Sequence, residues 1–332
     1  MKHMIVAFSA LGLLSAQANL AQAQSQTLTP IRMISFGGAT NLPAWAAVDK
    51  GFFEKEGLKV TIDQTAGSAE QFRDIMSGKY EFASTAFDNI VAYTEGQGAA
   101  KYDDFDVAAI LGVHSGLNSV LARPEIKSFD DIKGKTISVD ALTSGYATVL
   151  YQILQNKGIA KDRDYKIISV GGTDARLKSL KENTSQMAII SSPQDLQSQR
   201  EGFNILAEAS VEVGAYQGSA YAVRKSWAKA HDKEIMALTR TIIAAHEWVF
   251  ANKQAAVEVL KARTKGMSDA ELSSLYDRLI GPGGLNKSAA INVEGVGTVL
   301  KLRSVYGEQK GPVPPASRYI ELSYAERAKT GK

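Results

Sequence analysis

What this chain lacks narrows it first. It has 332 residues and no cysteine, which removes disulfides, thiolate metal sites, iron–sulfur clusters, thiol nucleophiles and a lipid-modified N-terminal cysteine together. Histidine is scarce, four in all, and none stands at metal-ligand spacing from another histidine or an acid, so no metal site is expected. Neither charge is in surplus: 38 Lys and Arg face 35 Asp and Glu, which gives no reason to expect a nucleic-acid partner. The signatures Gly-x-Gly-x-x-Gly, Gly-x-Ser-x-Gly and the phosphate-binding P-loop are missing. Ser226-Trp227-Ala228-Lys229 and Lys329-Thr330-Gly331 match two pieces of the serine β-lactamase set. The third piece, Ser-Asp-Asn, is absent and the second match lies at the extreme C-terminus, so coincidence is the better reading. No catalytic residue and no cofactor are assigned.

With 45% hydrophobic and 22% charged residues, the composition is that of an ordinary globular protein. The first stretch stands apart. Met1-Lys2-His3 is weakly basic, residues 4–14 are largely apolar, and Ala21-Gln22-Ala23 is a small-x-small cleavage signature. This predicts a signal peptide over 1–23, its apolar core too short to span a bilayer, and an exported, periplasmic mature chain. No later run approaches the ~20 apolar residues of a membrane helix.

Along the mature chain, strands are expected at 31–36, 58–62, 82–84, 106–112, 117–122, 136–139, 166–170, 187–190, 203–207 and 219–223, with helices between most of them. Ser68 with Gln71, and Ser323 with Glu326, have the spacing of capping boxes. Beyond Trp227 the character changes to helix, at 231–263 with a break at Asn252, at 268–280 and at 292–306. Strand–helix alternation predicts parallel sheets covered on both faces. Two such blocks, about 31–113 and 117–212, and a helical tail with too few strands for its own sheet predict two lobes.

Open parallel sheets bind ligands at the carboxyl ends of their strands. Five such junctions are rich in small and hydroxyl residues: Gly37-Gly38-Ala39-Thr40-Asn41, Ala66-Gly67-Ser68, Ser84-Thr85-Ala86, Thr143-Ser144-Gly145-Tyr146 and Gly171-Gly172-Thr173. Each offers free backbone N–H groups and a helix dipole of about 0.3–1 kcal/mol, which suits a small anion. Such residues are equally ordinary N-caps, and only their shared position argues for a common cleft. No Arg or Lys occupies the five junctions, which disfavours a multiply charged oxyanion. Asp88 and Asp174 lie near two of them. Trp45, in the first turns of a helix, either covers a planar ligand or packs a lobe.

The run Leu42-Pro43-Ala44-Trp45, then Ala47-Val48-Asp49-Lys50-Gly51-Phe52-Phe53-Glu54-Lys55-Glu56-Gly57-Leu58, resembles the opening of periplasmic substrate-binding proteins of ABC transporters. The group resembled is the one serving nitrate, taurine, alkanesulfonates and thiamine-pyrimidine precursors. The likeness continues through 67–78, 82–87 and 128–137. It implies an α/β, type II periplasmic-binding-protein fold of two doubly wound lobes joined by a two-crossover hinge: lobe 1 from 28–114 plus 217–332, lobe 2 from 115–216, with crossovers near Ser115 and Tyr216. It implies a monomer that captures a small molecule, a sulfonate or carboxylate first, and delivers it to a membrane permease. By position it implies ligand contacts at Asn41, Ser68, Thr85, Thr143, Ser144, Gly145 and Tyr146, with Trp45, His114, Thr173, Ser192 and Gln217 beside them. Thiamine-pyrimidine synthases share the lobes, but they need a cysteine-rich iron motif that this chain cannot supply. A receptor presenting its ligand to a sensor kinase is the other alternative.

Overall fold

The structure, a computed structural model, describes residues 27–307, 312 and 314–331. The expected signal peptide lies outside these residues. The described residues form ten strands: β1 (Thr29–Ser35), β2 (Leu58–Gln64), β3 (Phe82–Ala86), β4 (Val107–His114), β5 (Asn118–Ala122), β6 (Thr136–Val139), β7 (Lys166–Ser169), β8 (Met187–Ser191), β9 (Asn204–Glu208) and β10 (Ser219–Arg224). They make two five-stranded sheets, ordered β2-β1-β3-β10-β4 and β7-β6-β8-β5-β9.

The sheets are mixed rather than parallel. β1 runs parallel to β2 and β3, but β10 is antiparallel to both β3 and β4. In the second sheet β6 is parallel to β7 and β8, while β5 is antiparallel to β8 and β9. Strand–helix alternation predicts parallel pairing only while the chain stays in one sheet. Here β5 and β10 are the first strands after each change of sheet, and each enters between two strands from the reverse direction.

Period-two alternation explains how one strand feeds two cores. Ile31 and Met33 of β1 face a core with Leu42, Phe53, Ile235, Leu238, Ile242 and Leu275, built largely by the helical tail. Ile34 faces the other way, into a core with Phe72, Phe87 and Ile90. That second core is continuous with Val120, Ile137, Leu150 and Ile153 of the other block and with Val296 and Val299 of the tail. Each such side chain contributes about 1.5–3 kcal/mol when fully buried, so helix Val293–Tyr306, which packs on helices Phe87–Thr94 and Gly145–Asn156, binds the two sheets strongly to each other.

Neither expected capping box forms. Helix Ser68–Met76 has Gly67 at its N-cap without a side-chain bond, because the Gln71 amide is buried and donates to the carbonyls of Ile34 and Ser84. Helix Ser323–Thr330 starts after Leu322, also uncapped by a side chain. A capping box does form at Ser268 and Glu271.

Candidate functional site

The carboxyl ends of the two sheets meet at two places. After β1, Gly38 adopts φ 133°, and a Cβ there would come to 3.8 Å from the Ser192 carbonyl oxygen, just past β8. Asn41 holds this loop, its Nδ2 donating to the carbonyls of Phe36 at 2.7 Å and Gly38 at 3.2 Å. At the end of β3, Thr85 is buried and accepts from Asn89 Nδ2 at 3.3 Å. Asp88 follows in the first turn of its helix and reaches the other block, where its carboxylate accepts from the Gly145 N–H. The approach is close enough that a Cβ at Gly145 would lie 2.6 Å from Asp88 Cβ.

Asp88 is held by Arg303, whose Nη1 lies 2.8 Å from both carboxylate oxygens. Arg303 also donates to Gln97 Oε1 at 3.2 and 3.0 Å, and to the Thr143 carbonyl at 3.4 Å. Burial pushes the Asp88 carboxyl up, while Arg303 and the Gly145 N–H pull it back. Ser144 caps the same helix, accepting from the Ala147 N–H at 3.1 Å and donating to the Asp140 carboxylate. The helix N-terminus expected to await a ligand is therefore filled from within the chain.

A second group lies beside it. Arg176, one turn into helix Thr173–Lys181, is 1% exposed. Its Nη2 donates to Thr173 Oγ1 at 3.0 Å, its Nη1 stands 3.3 Å from Asp140 Oδ1, and its guanidinium carbon lies 5.8 Å from the Tyr146 ring centroid. Yet Nε and Nη1 make no hydrogen bond. The Tyr146 hydroxyl is bonded to the side chains of Asn118 and Ser191, and burial pushes it up. Tyr216, 3% exposed, is pushed well up by burial beside Asp88 and Tyr146.

The remaining expected residues are placed elsewhere. His114 and Gln217 sit where the chain passes between sheets. His114 Nδ1 accepts from the N–H groups of Gly116 at 3.1 Å and Leu117 at 3.2 Å, so Nε2 carries the proton and donates to Ser219 Oγ at 3.0 Å. Burial pulls this ring down from 6.5 to about 4. Gln217 Nε2 donates to the Ser219 carbonyl at 2.7 Å, and its Oε1 accepts from the Asn292 N–H at 2.7 Å. Ser192 donates to Asp195 Oδ1 at 2.8 Å. Asp195 pairs with Arg278 of the tail at 3.0 Å, and Arg278 donates to Ser119 Oγ at 2.6 Å and Glu208 at 2.5 Å. Ser68 accepts from the Tyr93 hydroxyl at 3.2 Å. The Trp45 ring lies under Arg263 at 5.6 Å and packs on the core built with the tail helices. Asp174 is exposed.

Sequence reasoning thus missed Arg176, Arg303, Arg278, Asp140 and Tyr216. Arg176 carried a signal: it stands three residues after Thr173, so one helical turn folds its head back onto a junction that seemed free of cations. Arg303, 215 residues from Asp88, carried none. Among the described residues no cluster of three or more His, Asp or Glu is placed to hold a metal ion, and no helix is long and apolar enough to cross a membrane.

Residues 40–256 match the family described as NMT1/THI5 like. The chain belongs to that family. The protein named "Putative binding protein YtlA" of Bacillus subtilis (strain 168) is 24% identical over 231 residues, covering 68% of each chain. The periplasmic nitrate-binding protein NrtA from Synechocystis PCC 6803 superposes with a TM-score of 0.76 at 13% identity, covering 92% of this chain and 89% of that one. The alkanesulfonate-binding protein SsuA from Xanthomonas axonopodis pv. citri, bound to MOPS, gives 0.70 at 14% identity, covering 88% and 98%. At these identities the likeness establishes the fold, that of the two-lobed periplasmic binding proteins.

Proposed function

We propose that this NMT1/THI5-like protein is the extracytoplasmic solute-binding component of an ABC importer. It captures a small organic molecule, a sulfonate or carboxylate, between its lobes and hands it unchanged to a membrane permease. Lobe 1 comprises 28–114 and 217–332, lobe 2 comprises 115–216, and the segments around Ser115 and Tyr216 are the hinge. The mature chain begins after residue 23 and works in the periplasm as a monomer. Thr143, Ser144, Gly145, Tyr146 and Thr173 form the lobe 2 wall of the site, with Asn41, Thr85 and Ser192 at its edges.

The observation that carries the reading is the meeting of strand carboxyl ends from two sheets, at Asp88 with Gly145 and at Gly38 with Ser192. Polar side chains line this seam, with Ser144 donating to Asp140 and Ser192 to Asp195. A micromolar solute needs about 8 kcal/mol net, which a few buried hydrogen bonds and one or two aromatic contacts supply. The relatives named for binding nitrate and alkanesulfonate support the same reading.

The test is native mass spectrometry of protein purified from the periplasm. A small molecule should co-purify, raise Tm when added back to stripped protein, and be recovered with its mass unaltered. Recovery of a chemically changed product would overturn the binding role.

A further inference from the structure

Resting on the cleft-binding reading, we propose that Arg176 is the residue that grips the solute, and that the group gripped is a singly charged oxyanion, a carboxylate or sulfonate, docked at the start of helix Thr173–Lys181. Three observations converge. The guanidinium is 1% exposed, yet its Nε and Nη1 have no hydrogen-bond partner. Buried polar groups are almost always satisfied, so an orphaned donor in a folded protein calls for an absent acceptor. The nine-residue helix that carries Arg176 begins at Gly172 with no side-chain cap, so its first N–H groups and dipole favour the same anion. The neighbouring helix N-terminus cannot serve, because Asp88 already occupies it through the Gly145 N–H.

The surrounding charges set the valence. Asp140 stands 3.3 Å from Nη1, beyond a well-formed hydrogen bond, and accepts a hydrogen bond from the Ser144 hydroxyl. It offsets part of the Arg176 charge and would repel a dianion, while a monoanion completes the guanidinium. The guanidinium carbon also lies 5.8 Å from the Tyr146 ring centroid, so the ring packs against the cation without supplying an acceptor for its idle donors.

The test compares wild-type protein with Arg176→Met and Arg176→Lys by thermal denaturation, stripped of solute, then with benzoate, methanesulfonate, inorganic sulfate or neutral benzamide, each at about 50 mM. Benzoate or methanesulfonate should raise the wild-type Tm by about 2 °C or more, and benzamide should not. Arg176→Met should lose that response, and its solute-free Tm should exceed wild type, since it removes a buried cation with idle donors. Arg176→Lys, which keeps the charge without the planar donor set, should need at least about ten times more anion for the same shift. A solute-free Tm of Arg176→Met below wild type would mean that Arg176 is structural and sinks the proposal. So would an unchanged anion response in that variant, equal or stronger stabilisation by sulfate, or no wild-type response to either monoanion. A neutral molecule found in periplasmic protein, and bound equally by Arg176→Lys, would defeat this inference yet leave the importer reading intact.

Discussion

Two arginines in this molecule are equally hidden and oppositely employed. Arg303 and Arg176 are each 1% exposed. Arg303 spends its donors on both Asp88 oxygens, on Gln97 and on the Thr143 carbonyl. The Arg176 side chain has one hydrogen bond among the described residues, to Thr173, and one loose ion pair, to Asp140. Burial alone therefore does not separate a structural cation from one held for a ligand; the count of used donors does. The saturated arginine ties the sheets together, and the unsaturated one waits at the same seam.

The strongest way to break this contrast is Arg303→Met. It strands the buried Asp88 carboxylate without a counter-charge, and removing one partner of a buried pair costs about 3–5 kcal/mol. Urea unfolding should show that loss, opposite in sign to the effect of Arg176→Met. Equal losses in the two variants would erase the distinction.

His114 extends the same accounting to pH. Its Nδ1 accepts two backbone N–H groups, so a proton there has nowhere to bind without breaking both. The unfolded ring takes its proton near pH 6.5, and the folded one only near 4. The unfolded state therefore binds the extra proton between these values. Stability from this group is full above about pH 6.5 and is lost as pH falls, reaching about 3 kcal/mol by pH 4. His246, also pulled down to about 4 by burial, behaves alike. The pH dependence of the urea midpoint should be shallower by about one proton in His114→Asn. An unchanged slope would show that the ring titrates normally.

How much of this was legible beforehand depends on sequence distance. Strand and helix positions followed from local periodicity, and the Gly-Phe-Phe-Glu-Lys-Glu-Gly-Leu run pointed to the right family. The hydroxyl-rich turns did collect at strand ends, and Thr143, Ser144, Gly145 and Thr173 stand by the Asp88 and Arg176 groups. What local pattern did not reveal was that the Gly145 helix N-terminus already has a partner within the chain. Gly145 gives its N–H to Asp88, which lies 57 residues earlier on a helix of the other block, and local pattern holds no trace of that. The junctions looked cation-free for the same reason: their guanidinium groups arrive from a helical turn away or from the distant tail. Strands β5 and β10 were expected where they form, but their antiparallel direction was not, because alternation records element order and not the direction in which a strand re-enters a sheet.

Gly145→Ala sharpens the contrast with less cost. A Cβ 2.6 Å from Asp88 Cβ cannot be housed unless Asp88 or the backbone that carries it shifts, and a shift of that helix would part the lobes. Overpacking of this kind costs about 1–3 kcal/mol. Small-angle scattering should report a larger radius of gyration for this variant without solute. An unchanged radius would mean that the seam yields locally and that Asp88 does not set lobe separation.

The smallest effect expected is at Thr173, the only hydrogen-bond acceptor that the Arg176 guanidinium has among the described residues. Thr173→Ala removes the Oγ1 and leaves Nη2 idle as well, so stability should fall by about 1 kcal/mol. Thr173→Ser restores the oxygen and should recover most of it. The sign matters more than the size. Losing an acceptor should destabilise the protein while losing the arginine stabilises it, because the burden is the unmet donor and not the space it fills. If Thr173→Ala and Arg176→Met shift the urea midpoint in the same direction, the guanidinium is held in place by its surroundings rather than at their expense.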